Sequence, residues 1–451
     1  MDKTEAHYKK MTQTPVMKLV IMLGIPTTIS MLITNVYNLV DTYFVGSLGE
    51  SQQGAVGVLF TLQCIIQAFS FMLGHGSGAF VSKALAEKDV RQATKYASTA
   101  FFSGAAIGLV LCVLGLSFLK PFAIFLGSTD TILPYAIDYG TWVCLSCPFV
   151  VCSFILNNIL RYEGKASMAM IGLVSGGIIN IFGDWLFIRV FEMGVYGAGL
   201  ATAISQFISF GILVTVHLKS AQSKLSLRAV SGKARDYFDI CKVGLPSMLR
   251  QGLTSVSSGI LNNLARPFGD AAIAALSVIN RYSSLVLCVG LGIGQGFQPV
   301  ASFNHQAKEY TRVKKALLGT MTIGIALMGT MAIFGFIFPG QIVSVFQKSP
   351  EVIRIGKFGL RAASVGSMVM PVSVCANMLY QSIRQAGTAS FLSMLRSGLA
   401  MIPTLIILSR LWGLNGILLS QPVADVISSL ICLPFILHFV LKTPNTALKP
   451  E

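Results

Sequence analysis

Twelve runs of mostly apolar residues, each long enough to cross a bilayer, follow one another along this chain and leave little sequence between them. They lie near 18–46, 52–81, 92–119, 132–160, 166–188, 196–218, 240–266, 271–303, 314–346, 352–381, 388–410 and 414–440. A membrane-spanning helix needs about 20 such residues. In lipid the backbone N–H and C=O groups must be satisfied inside the protein, and a helix does this within one segment. Of the 451 residues 53% are hydrophobic and only 12% charged, well under the charged share of a soluble domain. The expectation is an all-α integral membrane protein of twelve transmembrane helices.

The formal charge of +16 invites a nucleic-acid partner, and its distribution removes that reading. Most of the Lys and Arg residues gather on one side of the expected membrane. They occupy the N-terminal tail, Lys83 to Lys95, Arg161 and Lys165, Lys219 to Lys242, Lys308 to Lys315, Arg384 and the C-terminal tail. Basic loops stay in the cytoplasm, so both tails (1–17 and 441–451) are expected there and the bilayer is the expected partner. The polar stretch 1–17 has no short apolar region with a small-residue cleavage site, so a removable signal peptide is not expected. Nine cysteines sit almost all within apolar runs and form no paired CxxC motifs, which argues against a disulfide framework and against a zinc site.

The longest internal polar stretch, Lys219 to Lys242, falls at the midpoint, and the halves around it are alike. Gly24-Ile-Pro26 recurs as Gly244-Leu-Pro246, and Gly74-His-Gly76-Ser-Gly78 recurs as Gly292-Ile-Gly294-Gln-Gly296. Arg161-Tyr-Glu-Gly164-Lys-Ala166-Ser167 matches Arg384-Gln-Ala-Gly387-Thr-Ala389-Ser390, and Gly194-Val-Tyr-Gly197 matches Gly413-Leu-Asn-Gly416. The expected organisation is a six-helix lobe over 18–218, a cytoplasmic linker over 219–239 and a second six-helix lobe over 240–440. An even number of helices per half returns the second copy to the membrane in the same orientation. The two bundles would then be related by a pseudo-twofold axis along the membrane normal, with substrate between them, as in parallel-repeat transporters. Small residues in the repeated glycine motifs permit close helix packing, and no βαβ unit surrounds them to make a dinucleotide loop.

Against this apolar background two acids stand out: Asp41 in the first run and Asp184 in the fifth. Intramembrane carboxylates are costly and mark proton or ion pathways. Tyr37 lies one turn before Asp41 and Thr34 two turns before, on one face. Asn180 and Asp184 share a face of the fifth run. The fourth run adds Asn157 near its cytoplasmic end and Asp138 and Tyr139 near its outer end, and the sixth adds Thr202. Apart from Lys18, the first residue of the first run, no Lys or Arg lies within these spans to pair with the acids. Two chemistries fit. Burial and a second nearby carboxylate favour a shared proton, and the oxygens of Asp41, Asn180, Asp184 and Thr202 make a shell for a hard cation such as Na⁺. The sequence leaves H⁺ and Na⁺ open, and no organic cofactor is called for.

The second half carries neutral polar groups instead, with Gln251, Asn262, Arg281, Gln295, Asn377 and Gln381 as candidates for a substrate cavity and Arg250 as a further basic residue. Asp425 in the last run has no evident partner in the sequence.

Taken together, Gly24-Ile-Pro26, Asn38-Leu-Val-Asp41-Thr-Tyr-Phe-Val-Gly46, the Arg161-x-x-Gly164 turn and Asn180 with Asp184 make the chain resemble the MATE (multidrug and toxic compound extrusion) transporters, over essentially its whole length. The likeness is to the bacterial DinF-like and MepA-like branch, of the wider MOP fold. That resemblance implies two six-helix lobes and a monomeric secondary antiporter. It implies multidrug efflux of mostly cationic, amphipathic organic compounds by alternating access, against H⁺ or Na⁺ moving inward across the cytoplasmic membrane of a bacterium. It implies a coupling site at Asp41, Asn180, Asp184 and Thr202 with Asn157, Tyr37 and Tyr139 nearby, and bending of the first helix at Pro26. The NorM-like carboxylates of spans 7 and 10 have no counterpart here. Two rivals remain: a flippase for a lipid-linked saccharide, which calls for a cationic cavity to hold a pyrophosphate, and an intramembrane aspartyl protease using Asp41 and Asp184, whose Gly-x-Gly-Asp signature is absent.

Overall fold

The computed structural model describes residues 3–446; Met1, Asp2 and residues 447–451, the outer parts of the two expected tails, lie outside the described residues. Almost all of it is helix, and no strand occurs among the described residues. A short helix α1 (Lys3–Gln13) precedes α2 (Val16–Gly46), α3 (Glu50–Ala86), α4 (Val90–Phe125), α5 (Leu133–Tyr162) and α6 (Ala166–Asp184). A π turn over Trp185–Val190 leads from α6 towards α7 (Gly194–Ser220). The second half runs through α8 (Ala234–Ala265), α9 (Asp270–Gln306), α10 (Tyr310–Ile337), the short α11 (Pro339–Phe346) and α12 (Pro350–Ser382). It ends with α13 (Ala386–Met394), a second π turn (Leu395–Leu399) and α14 (Met401–Lys442).

Ten stretches among the described residues are long and apolar enough to cross a membrane by length and composition. Two features reconcile ten with the twelve expected. Helix α8 carries too many polar residues to qualify. The stretch Ala386–Lys442 contains two expected spans, because the chain doubles back at Gly413, whose φ of 54° and ψ of −129° interrupt the helix. The reversal is tight enough that a Cβ on Gly416 would lie 1.8 Å from the Leu408 carbonyl oxygen. Only a residue without a Cβ takes that backbone cheaply.

The chain forms two compact units. One holds the residues up to Tyr8 and Leu32–Met248; the other holds Lys9–Met31 and everything from Leu249 onward. In the first unit α5 is the central helix, packed by α3, α4, α6 and α7; in the second α12 is central, packed by α9, α10, α13 and α14. The central helices make the same side-chain bond to the helix that follows. Asn157 Nδ2 donates to the Ala169 carbonyl at 2.9 Å, and Asn377 Nδ2 donates to the Ala389 carbonyl at 2.8 Å.

These bonds set the register of the duplication, in which Asn157 answers to Asn377 and Ala169 to Ala389. Three of the four sequence matches are out of step with it, that of Gly194 with Gly413 by a single residue. Helices α5 and α12 end at Tyr162 and Ser382, and α6 and α13 begin at Ala166 and Ala386. Arg384, with φ 64°, therefore stands where Gly164, with φ 71°, stands in the first half. The likeness between the segments starting at Arg161 and Arg384 is a chance match three residues out of register. Likewise Gly74 and Gly76 correspond to Gly294 and Gly296, two residues from the alignment that the motif itself suggests. A pattern of alternating glycines overlaps itself when shifted by two, so it cannot fix its own register.

The glycine motifs do pack helices closely, and each pairs with the Gly-x-Pro segment of the opposite half of the sequence. In the first unit a Cβ on Gly244 of α8 would lie 1.7 Å from the Met72 carbonyl oxygen of α3, and one on Gly76 would lie 2.0 Å from the Ile240 carbonyl oxygen. In the second a Cβ on Gly296 of α9 would lie 2.3 Å from the Gly24 Cα of α2. Around Pro26 three hydroxyls bond back to helix carbonyls one turn earlier. Thr27 Oγ1 donates to the Leu23 carbonyl at 2.8 Å, Thr28 Oγ1 to Gly24 at 2.9 Å and Ser30 Oγ to Pro26 at 2.9 Å. Hydroxyls that bond back one turn commonly bend helices.

At the cytoplasmic end expected for α5, Glu163 ties down the start of the 219–239 linker. It accepts from the backbone N–H groups of Gln222 (2.8 Å) and Ser223 (3.0 Å) and from the Ser223 hydroxyl, and pairs with Lys165 at 3.0 Å. Burial alone would raise this carboxyl, but the Lys165 charge and the donated hydrogen bonds hold it below its ordinary value.

Replacing Gly244 by Ala should lower the apparent melting temperature of the purified protein, corresponding to about 1–3 kcal/mol of overpacking. Gly252→Ala, on the same helix with no atom within 4 Å of its added Cβ, should leave it unchanged or raise it. Equal effects of the two substitutions would contradict the close helix approach.

Candidate functional site

A cavity in the first unit collects polar side chains from α2, α3, α5, α6 and α7. It encloses about 540 Å³ of empty space, its open side included. Helical spacing supplies the polar groups in pairs one turn apart: Tyr37 and Asp41 on α2, Gln63 and Gln67 on α3, and Thr202 and Gln206 on α7. Residues four apart share a helix face, so each pair needs only one helix rotation to point inward. Small residues let α6 approach α2: a Cβ on Gly177 would lie 2.9 Å from Ile33 Cγ2 and 3.2 Å from Tyr37 Cδ1. This contact puts Asn180 and Asp184, on α6, beside the helix that carries Asp41.

Hydrogen bonds link five of these side chains. Tyr139 Oη donates to Asp41 Oδ2 at 3.2 Å, and Gln63 Nε2 donates to Tyr139 Oη at 3.2 Å. Thr202 lies within hydrogen-bonding reach of Tyr139, and Asn180 Nδ2 donates to Thr202 Oγ1 at 3.3 Å. Gln206 bonds Tyr37. Asp41 and Asp184 lie within electrostatic range of one another, and Asp184 is fully buried.

Four oxygens in this cluster lack any donor: Asp41 Oδ1, both carboxylate oxygens of Asp184, and Asn180 Oδ1. Neither acid makes an ion pair among the described residues. A buried polar atom left unpaired costs about 1–3 kcal/mol, and more when charged. Donor-free oxygens from three side chains suit one cation or one or two protons, with the Thr202 hydroxyl as a further oxygen nearby. Asp184 also sits directly before the π turn Trp185–Val190, and such turns are frequent at functional sites.

The structure thus brings together Asp41, Asn180, Thr202, Tyr37 and Tyr139 in the cavity lining, with Asp184 buried outside that lining but within electrostatic range of Asp41. The other expected members stand apart. Asn157 bonds the Ala169 carbonyl, Asp138 is exposed, and Thr34 is half-buried outside the cavity lining. Gln63, Gln67 and Gln206 were legible as polar pairs at helical spacing, though the two acids are the stronger signal in the sequence.

In the second unit a smaller cavity of about 360 Å³, open side included, is bounded by α8, α9, α12, α13 and the second π turn. Among the substrate-cavity candidates only Asn377 lines it. Gln381 is buried and accepts from Gln298 Nε2 at 3.1 Å; Gln295 is buried, Gln251 half-buried and Asn262 exposed. The Arg281 guanidinium lies over the Phe346 ring at 5.9 Å. Asp425, without an evident partner in the sequence, accepts from Arg396 Nε at 2.7 Å and from Gln421 Nε2 at 3.0 Å. Gln421 was within reach of simple i, i+4 reasoning. Arg396 was not, because it reaches Asp425 across a chain reversal.

A family model described as MatE matches residues 26–186 and again 246–406, two copies offset by the same step that relates Asn157 to Asn377. The multidrug export protein MepA of Staphylococcus haemolyticus (strain JCSC1435) is 26% identical, over 93% of this chain and 93% of that protein. MepA of Staphylococcus aureus (strain MSSA476) is 25% identical, again over 93% of each chain. The fold is that of a solved multidrug resistance MATE family transporter of the MOP superfamily in an outward-facing conformation. That structure superposes with a TM-score of 0.90 at 22% identity, covering 96% of this chain and 97% of the other.

If Tyr139 and Asp41 interact as described, Tyr139→Phe and Asp41→Asn should be non-additive in a double-mutant thermal-stability cycle, with a coupling of about 0.5–3 kcal/mol. Strict additivity would show that the hydrogen bond is not made.

Proposed function

The chain belongs to the MatE family, and from that premise we propose that it is a secondary multidrug exporter of a bacterial cytoplasmic membrane. It drives organic compounds out by alternating access as H⁺ or Na⁺ enters. Both relatives above are named multidrug export proteins, which supports the substrate reading. The single observation that carries the coupling reading is the cluster of four donor-free buried oxygens on Asp41, Asn180 and Asp184.

A bare carboxylate in a low-dielectric interior is costly, and two close together without a counter-charge are more so. A cation held between them relieves that cost, so its binding favours whichever conformation brings the two acids close. A ligand drives a conformational change only through differential affinity for the two states. An external cation therefore biases the transporter towards the state with a closed acid pair, and its loss to the cytoplasm resets it. The hydroxyl-supported Pro26 segment of α2 lies on the helix that carries Asp41, and it is the proposed bend through which occupancy alters the helix.

Each cavity is lined by residues of a single unit, which supports the reading of a monomeric working form. Both tails face the cytoplasm on the charge distribution.

In proteoliposomes, imposed pH and Na⁺ gradients applied separately should show which cation drives efflux of a cationic dye. Asp41→Asn should reduce that efflux to the protein-free level while inserting normally. Unimpaired efflux by the variant would refute the coupling role.

A further inference from the structure

The second unit's cavity is lined by two arginines and by no acid. Arg250 comes from α8 and Arg396 from the π turn between α13 and α14. The two guanidiniums are close enough for their charges to act on one another. Their situations differ. Arg396 is neutralised from behind by Asp425, at 2.7 Å, with Gln421 completing that carboxylate. Arg250 forms no ion pair among the described residues. Its contact with Asn377 is a long one, from a terminal guanidinium nitrogen to Oδ1 at 3.4 Å.

A guanidinium carries five N–H donors, and none of those on Arg250 is among the sealed, partnerless atoms of the interior. Arg250 is one of the residues that line the cavity. The Asn377 oxygen cannot rotate away to be replaced by its amide, because Asn377 Nδ2 is committed to the Ala389 carbonyl at 2.8 Å and to Ser393 Oγ at 2.6 Å. The cavity therefore presents one uncompensated positive charge with free donors. The rest of its lining is apolar at Leu287, Leu291, Val374 and Leu392 and polar at the hydroxyls of Ser373, Ser393 and Ser397.

An unpaired arginine at this depth is costly unless something pairs with it. Planar donors in a fork match a carboxylate bidentately. We propose that this cavity binds the carboxylate of an amphipathic organic acid: Arg250 holds the carboxylate, the Arg396–Asp425 pair fixes the second guanidinium beside it, and the leucine-lined wall takes the hydrocarbon. A single net charge suits a monoanion; a pyrophosphate would leave most of its charge unmatched. The inference deepens the exporter reading, since it adds compounds bearing a carboxylate to the substrates, and it separates the duties of the two units. The first holds the coupling cation and the second holds an anion.

The test is calorimetric titration of the full-length protein in nanodiscs with 1-naphthylacetate and, separately, with its uncharged methyl ester. The acid should bind at least tenfold more tightly than the ester. Arg250→Gln should lose that preference, so that acid and ester bind alike, and Arg250→Lys should retain part of it. Melting curves of each variant establish that it is folded, and the lysine variant keeps the test open should the glutamine variant fail to fold. Equal binding of acid and ester by the unaltered protein, or an undiminished preference in folded Arg250→Gln, would overturn the proposal. So would inorganic pyrophosphate displacing a probe that excess naphthylacetate does not. Because the readout is binding, a protein that binds the acid but exports nothing would sink the exporter reading and leave this one standing.

Discussion

Hydrocarbon offers no hydrogen bonds, and everything else in this molecule follows from that constraint. The backbone satisfies itself as helices. Lipid tails are as apolar as leucine, so helices must gain stability from close contact rather than from exclusion of water. That is why glycines stand where α3 meets α8 and where α9 meets α2, with backbone approaches that leave no room for a methyl group. Hydroxyls along α2 cap carbonyls near Pro26 for the same reason. In such a medium a buried charged group without an opposite charge is conspicuous, and two such places stand out among the described residues.

Those places have opposite sign. The first unit buries two carboxylates and an amide oxygen without donors, and the second presents a guanidinium without an acid. The halves share one plan, down to the matching Asn157 and Asn377 bonds, yet the charged residues are not in register. In the alignment those bonds define, Arg250 answers to Ser30 and Asp184 to Thr404. Duplication supplied the scaffold, and the charges were placed on it independently. In each unit a π turn adjoins a charged residue, after Asp184 in one and around Arg396 in the other. The widened turn re-aims a side chain that a regular helix would carry elsewhere.

Much of this was legible in the residues. The apolar runs, the internal repeat and the two acids are local patterns, and local patterns survive without coordinates. Register was harder, because Arg-x-x-Gly recurs by chance and alternating glycines match themselves when shifted by two. Long-range pairing was hidden altogether. Arg396 and Asp425 lie 29 residues apart on either side of the reversal at Gly413, and nothing in the intervening apolar sequence says which faces meet. The glutamines of the first cavity were visible as pairs one turn apart, but apolar helices carry many such pairs, and only packing decides which turn inward.

Infrared difference spectroscopy of the purified protein, between high and low pH and with and without Na⁺, reports directly on whether Asp41 and Asp184 take up a cation together. The expected result is a carboxyl band that changes with the coupling cation in the unaltered protein and is lost in both Asp41→Asn and Asp184→Asn. A band that persists in both variants, or none in the unaltered protein, would contradict a shared cation at this pair.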